Sequence, residues 1–223
     1  NSSLISTKEL EFATVLPPYA DVNTNFYGLE ANFEKLDYRL NPRKGFSLWS
    51  SGAVGDKKIR KNNNVNPVLY DSINLSGTQY KVRLMAATYI PVFRNLTMKI
   101  SSDGGLLSSN NLFENELFRF GGLKTLKGFD EESISASLYN ILTLEFRYIF
   151  ETNSYFSLFW NGAYYEKKTL DEFIVDRPFG FGAGLSFATR AGIFSVSYAL
   201  GKQFDNPIDL KRAKIHFGIT ATF

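Results

Sequence analysis

From Tyr27 onward the chain repeats one pattern, apolar and polar residues in strict alternation. Tyr27, Leu29, Ala31 and Phe33 fall on one face, and Gly28, Glu30, Asn32 and Glu34 on the other. A period of two is the signature of a strand with one wet face. Asn41-Pro42-Arg43-Lys44-Gly45 supplies turn chemistry before a second strand from Phe46 to about Val54. Tyr80, Val82, Leu84 and Ala86 then oppose Gln79, Lys81, Arg83 and Met85. After a turn over Pro91 to Asn95, Leu96, Met98 and Ile100 oppose Thr97, Lys99 and Ser101, completing a hairpin with a basic face.

The pattern resumes with Leu142, Leu144, Phe146 and Tyr148 against Thr143, Glu145 and Arg147. Phe156, Leu158, Trp160 and Tyr164 follow, against Ser157, Phe159, Asn161 and Ala163. Two further segments, 177–189 and 193–201, set Phe, Leu, Val and Tyr against Gly, Ser and Ala. The last, 214–223, places Ile215, Phe217, Ile219, Ala221 and Phe223 opposite Lys214, His216, Gly218, Thr220 and Thr222. About nine strands are predicted. Residues 1–24, with Pro17 and Pro18, read as an irregular lead-in or the remnant of a preceding strand. Residues 55–77 show little periodicity and suit either a long solvated loop or a floppy linker.

Composition narrows what such strands can be. No apolar run approaches the ~20 residues a membrane-spanning helix needs. The mean hydropathy of -0.16 is still compatible with a membrane barrel, because half of each strand faces water. Twenty-five basic and 22 acidic residues are scattered rather than blocked, which argues against nucleic-acid binding. The absence of cysteine removes disulfides, thiolate nucleophiles and Cys-ligated metals, and a single histidine, His216, precludes a His-rich metal site. The chain opens on Asn1 with no apolar leader, so a processed or truncated sequence is expected.

A soluble β-sandwich also alternates. Against it, the apolar face is strongly aromatic and persists to a final amphipathic strand ending in Phe. A transmembrane antiparallel β-barrel, with aromatic girdles toward lipid, accounts for both features.

One segment breaks the alternation. Phe118 to Phe129, FRFGGLKTLKGF, carries paired glycines and a basic residue where a strand would repeat, and is predicted to be a loop. Gly121, Gly122, Leu126, Lys127, Gly128 and Phe129 resemble the GG...(V/I)RGF signature of the BamA/TamA superfamily of outer-membrane protein assembly factors. Asp37 ahead of the Asn41-Pro42-Arg43-Lys44-Gly45 turn, the glycine-rich 179–199 region, and a C-terminal segment marked by His216, Gly218, Ala221 and Phe223 are similar to other parts of that family.

The resemblance implies that residues 25–223 are the C-terminal half or more of a 16-stranded barrel. A lumen-inserted loop would span about 103–133. The first barrel strands and the periplasmic POTRA domains have no counterpart in the sequence. In the family the loop's Arg pairs with an acid on each of the next two strands; here Lys127 takes the Arg place, Glu145 the first acid and Asn161 the second. Lys is a point charge where Arg would fork across two carboxylates, so losing one acid matches losing the fork. A Lys127–Glu145 ion pair with Asn161 as hydrogen-bond partner is expected. It would act either as a structural lock on the loop or in handling substrate.

The implied function is insertion and folding of other barrel proteins through a lateral seam at the C-terminal strand, in the outer membrane of a Gram-negative bacterium. The implied partners are nascent outer-membrane proteins, lipid and lipopolysaccharide, and accessory assembly lipoproteins. The alternatives are a polypeptide-secreting pore of the two-partner type and a passive porin. Asp171, Glu172, Asp176 and Asp205 sit near loops without a nucleophile, phosphate loop or metal set, so neither an enzyme nor a cofactor is expected.

Overall fold

The computed structural model describes residues 16–63, 65–190 and 192–220. Alternation becomes strand wherever both faces can be satisfied. The order is β1 (Asp21–Leu36), β2 (Gly45–Arg60), β3 (Ser76–Phe93), β4 (Leu96–Ser108), β5 (Phe118–Phe120) and β6 (Ile134–Ala136). Then come β7 (Leu138–Glu151), β8 (Ser154–Lys168), β9 (Phe173–Asp176), β10 (Phe179–Thr189), β11 (Gly192–Lys202) and β12 (Lys214–Thr220). One antiparallel path runs β1-β2-β3-β4-β7-β8-β10-β11-β12, with β9 attached to β8, while β5 and β6 form a separate ribbon. Among the described residues the only helical turns are three short 3-10 segments, and the two edges of the sheet do not pair with each other. The chain therefore forms an open arc of barrel wall.

Register assigns the faces. Glu30 pairs with Ser51, Ser51 with Arg83, Arg83 with Gly105 and Gly105 with Tyr139, so one continuous row crosses the wall on its concave side. The opposite side is apolar and open, with Leu29 86% and Phe217 77% exposed. The packed apolar cluster lies on the concave side, where Leu126 and Phe129 meet Tyr139, Ile141, Ala163 and Tyr165 of β7 and β8. A soluble sandwich would bury its larger apolar face. Here that face is left for lipid.

Several boundaries differ from those expected, for one reason. β1 begins at Asp21, β2 continues through Arg60 and β3 starts at Ser76, so the expected 55–77 loop shrinks to 61–75. In these extensions the polarity of the faces reverses. Gly55, Lys57 and Ile59 point inward and are buried, while Asp56, Lys58 and Arg60 are exposed on the outer face. Val22, Thr24 and Phe26 share that inner face with them. Past the lipid belt the outer surface meets water, so the apolar residues move inside and the alternation changes phase. Residues 103–108, expected within the loop, are likewise strand. Phe118–Phe120, also expected in the loop, is β5 of the small ribbon.

The wall is tall at one side and short at the other. β3 has 18 residues and β10 and β11 have 11 each, and the described part of β12 has 7. Short turns close one end, Arg94-Asn95 and Thr152-Asn153 among them, and the longer connections gather at the other. At the short-turn end Asp37 organises the 37–44 turn. Its Oδ1 accepts N–H bonds from Tyr38, Arg43 and Lys44 at 2.9, 3.0 and 3.1 Å. Slight burial pushes the carboxyl upward, but these donors outweigh it and hold its pKa below 3.8.

Candidate functional site: a lumen loop seated on the inner wall

The connection from β4 to β7, residues 109–137, folds back onto the concave face. Three stations hold it. At the long-loop end, Lys57 Nζ lies 2.6 Å from Glu116 Oε2, both nearly fully buried. Glu116 also takes Gln79 Nε2 at 3.0 Å and the Phe113 N–H at 2.9 Å. Midway, the Phe120 ring stacks on Tyr139 at 5.1 Å, and Tyr139 joins Arg83 and Asp103 through bonds of 3.2 and 3.0 Å. The third station is the tip.

The tip reverses through glycine. Gly121, Gly122 and Gly128 have φ of 124°, 92° and 100°, a region side-chain-bearing residues avoid. The turn closes by a 3.0 Å bond from the Gly122 N–H to the Leu126 carbonyl. Gly121 N donates to Thr125 Oγ1, and Thr125 Oγ1 donates back to the Gly121 carbonyl, each at 2.9 Å. Leu126 is fully buried and Phe129 is 8% exposed, and both pack on the inner wall.

Beside them, Lys127 Nζ stands 3.5 Å from Glu145 Oε2 and 4.1 Å from the centre of the Phe159 ring. Asn161 Nδ2 donates 3.1 Å to the Lys127 carbonyl rather than meeting its ammonium. The wall thus grips backbone and side chain of one residue at once. Gly180 makes the approach possible, because a Cβ there would collide with the Lys127 carbonyl oxygen.

Two partners were not anticipated from the family pattern. Arg147 Nε donates 2.8 Å to Glu145 Oε1, so the carboxylate bridges two cations, one from the loop and one from its own strand. The Arg147 guanidinium lies 4.7 Å from the Tyr155 ring centre and 5.5 Å from that of Tyr89, which holds it in place. Its position two residues beyond Glu145 on the same face was the available signal. The other partner is His216, whose Nε2 accepts the Gly128 N–H at 3.3 Å.

His216 joins the lumen loop to the last strand. Each inward residue of β12 from Lys214 to Gly218 meets the loop. Lys214 Nζ contacts Asp130 at 2.7 Å, His216 Nδ1 lies 3.9 Å from Glu131 Oε1, and Gly218 lies against Leu123. The connection thus spans the concave face from β4 to the inner side of β12 before returning to β7. Residues 18–223 match the Omp85 superfamily domain. The chain belongs to the Omp85 superfamily. Comparison with curated proteins finds no match.

Omp85 superfamily proteins are outer-membrane β-barrels, which assigns the exposed aromatic face to lipid and the concave face to the lumen. The superfamily is one of transporters and assembly factors without enzymatic chemistry. Of the residues singled out in the sequence, Gly121, Gly122, Leu126, Lys127, Gly128 and Phe129 form the tip, Glu145 and Asn161 its seat, and His216 and Gly218 its contact with β12. Ala221 and Phe223 lie outside the described residues.

Proposed function

We propose that this Omp85 chain carries the C-terminal part of a bacterial outer-membrane assembly factor, which inserts and folds other β-barrel proteins at a seam bordered by β12. One observation supports this reading above the others. Among the described residues β12 pairs with β11 along one edge and with no strand along the other, and the lumen loop contacts its inner face at three consecutive inward positions. A strand braced from inside and open along one edge can take a new lateral partner there. Its N–H and C=O groups then form a template for an incoming strand. Unpaired backbone is costly in lipid, so the seam opens only when another strand replaces the lost bonds. Clients would be nascent barrel proteins, with lipopolysaccharide, accessory lipoproteins and POTRA domains as working partners.

The chain contains no cysteine, so a cysteine introduced at Ile215 has no competitor within it. A disulfide from the Ile215 position to the facing strand of the closed barrel is expected to stop insertion of a client barrel in proteoliposomes, with recovery on reduction. Full insertion while locked refutes the seam. Persistent polypeptide export in that state assigns the secretion-pore alternative instead.

A further inference from the structure

The two ends of the wall differ in how their charges are met. At the long-loop end cations stand beside carboxylates: Arg60 lies 3.9 Å from Asp21, Lys58 3.9 Å from Asp56, Lys167 2.7 Å from Glu172 and Arg212 3.7 Å from Asp209. At the short-turn end Lys35, Arg43, Lys44, Arg94 and Arg190 are exposed, and among the described residues none of them has an ion pair. The acids near them are already engaged. Asp37 accepts three backbone N–H bonds of its own turn, and Glu34 takes the guanidinium of Arg39 at 3.0 and 3.3 Å. Glu151 is the carboxylate left over, and it accepts the Ser154 hydroxyl at 3.2 Å. The rim therefore presents a positive surplus to whatever lies against it.

The neighbours of these cations place them at the edge of the lipid belt. Lys35 follows Phe33 by two residues on the outer face of β1, and the Phe33 ring stacks on Phe46 of β2 at 5.2 Å. Lys44 precedes Phe46 by two. Arg94 follows Phe93, which is 73% exposed, and Arg190 stands in the turn three residues past Phe187, whose ring stacks on Phe194 at 5.7 Å. Aromatic girdles of a barrel sit at headgroup level, so cations just beyond them reach the headgroup phosphates. The short turns of an outer-membrane barrel face the periplasm. The surplus thus meets the periplasmic leaflet, whereas the end with paired charges meets the outer one.

We infer that the short-turn rim is a docking collar for anionic phospholipid headgroups of the periplasmic leaflet, with Lys35, Arg43, Lys44, Arg94 and Arg190 as its cations. The inference rests on the placement of the barrel in the outer membrane and is independent of the seam reading. A leaflet touches every turn at once, so the cations need not converge on one ligand. Each adds its own attraction, and together they fix the level of this rim against the membrane, which apolar contact alone sets loosely.

The test uses the full barrel in phosphatidylcholine vesicles, with a donor fluorophore on a single cysteine at Asn95, beside Arg94, or at Ser108, at the long-loop end of β4. Traces of acyl-labelled phosphatidylglycerol or phosphatidylethanolamine serve as acceptors. Around Asn95 phosphatidylglycerol is expected to be enriched about fivefold over phosphatidylethanolamine, the ratio falling toward one at about 1 M salt. Around Ser108 the ratio stays near one. Arg43→Gln, Lys44→Gln and Arg94→Gln together are expected to abolish the enrichment while heat-modifiable migration persists, because none of these side chains holds the fold. Should that variant fail to fold, Arg94→Gln alone gives the second reading, with an expected loss of about half the enrichment. Equal ratios at Asn95 and Ser108, or an enrichment that the folded variant retains, overturn the collar. Salt-sensitive retention of an acidic peptide by the parent without any lipid preference overturns it too, and assigns the rim to an acidic protein.

Discussion

Glu145→Gln and Lys127→Met remove opposite ends of one ion pair, yet the geometry predicts very unequal consequences. At 3.5 Å and an effective dielectric of ~20, the Lys127–Glu145 attraction is about 5 kcal/mol before desolvation. Arg147 at 2.8 Å contributes about 6 on the same footing. When Lys127 becomes Met, Arg147 still neutralises the carboxylate, and the loss is one charge-assisted contact of about 1.5–3 kcal/mol. When Glu145 becomes Gln, Lys127 and Arg147 confront each other and Lys99 without an anion, a loss of about 3–5 kcal/mol. Loop release frees the turn around Lys124, whose side chain is already exposed and which every variant keeps, so tryptic cleavage in the folded barrel reports the open population. The expected increases are roughly 10- to 150-fold for K127M and roughly 150- to 5,000-fold for E145Q. The double variant should open less readily than E145Q alone, because deleting Lys127 relieves one stranded cation. Single effects that multiply within twofold would refute the shared-carboxylate reasoning.

Three further outcomes follow from the same geometry. Gly180→Ala places a methyl group against the Lys127 carbonyl, so the loop is expected to leave its seat while the heat-modifiable migration of the barrel persists. His216→Ala strands the buried Gly128 N–H and should favour loop release by about 1–3 kcal/mol, or up to roughly 150-fold in cleavage. Lys214→Ala breaks an ion pair with Asp130, which is 70% exposed, and should change cleavage less than fivefold. Because the folded pKa of Asp37 is depressed, its stabilisation of the 37–44 turn is complete above about pH 4 and lost as pH falls through the lowered value. Amide exchange of Arg43 and Lys44 should therefore accelerate on acidification in the parent, and show no such transition over that window in Asp37→Asn.

Most of the wall was legible because lipid imposes the period-two pattern across most of the belt. Tyr80 to Ala86 and Leu142 to Tyr148 could have no other orientation. Legibility ended where the outer surface leaves lipid. At Gly55 to Arg60 and at Asp21 to Phe26 the strands continue with apolar residues inside, and a reader expecting one phase sees no strand. The seat of the loop was readable from the resemblance to the BamA/TamA signature, which sets Lys127 against Glu145 and Asn161, and the alternation placed both partners on the inward face. The contact of Asn161 with the Lys127 carbonyl was not, because backbone leaves no trace in residue identity. The Gly128–His216 bond was hidden for the same reason, since an amide N–H is common to every residue but proline.

The lumen loop enters beside β4 and touches down last on β12, crossing β7, β8, β10 and β11 on the way. Such a span works as a crossbeam. Prising the terminal strand outward also pulls on Leu123, Gly128 and Asp130, so the resistance it meets is set partly at Lys127, several strands away. Motion at the rim and motion at the hub become one event.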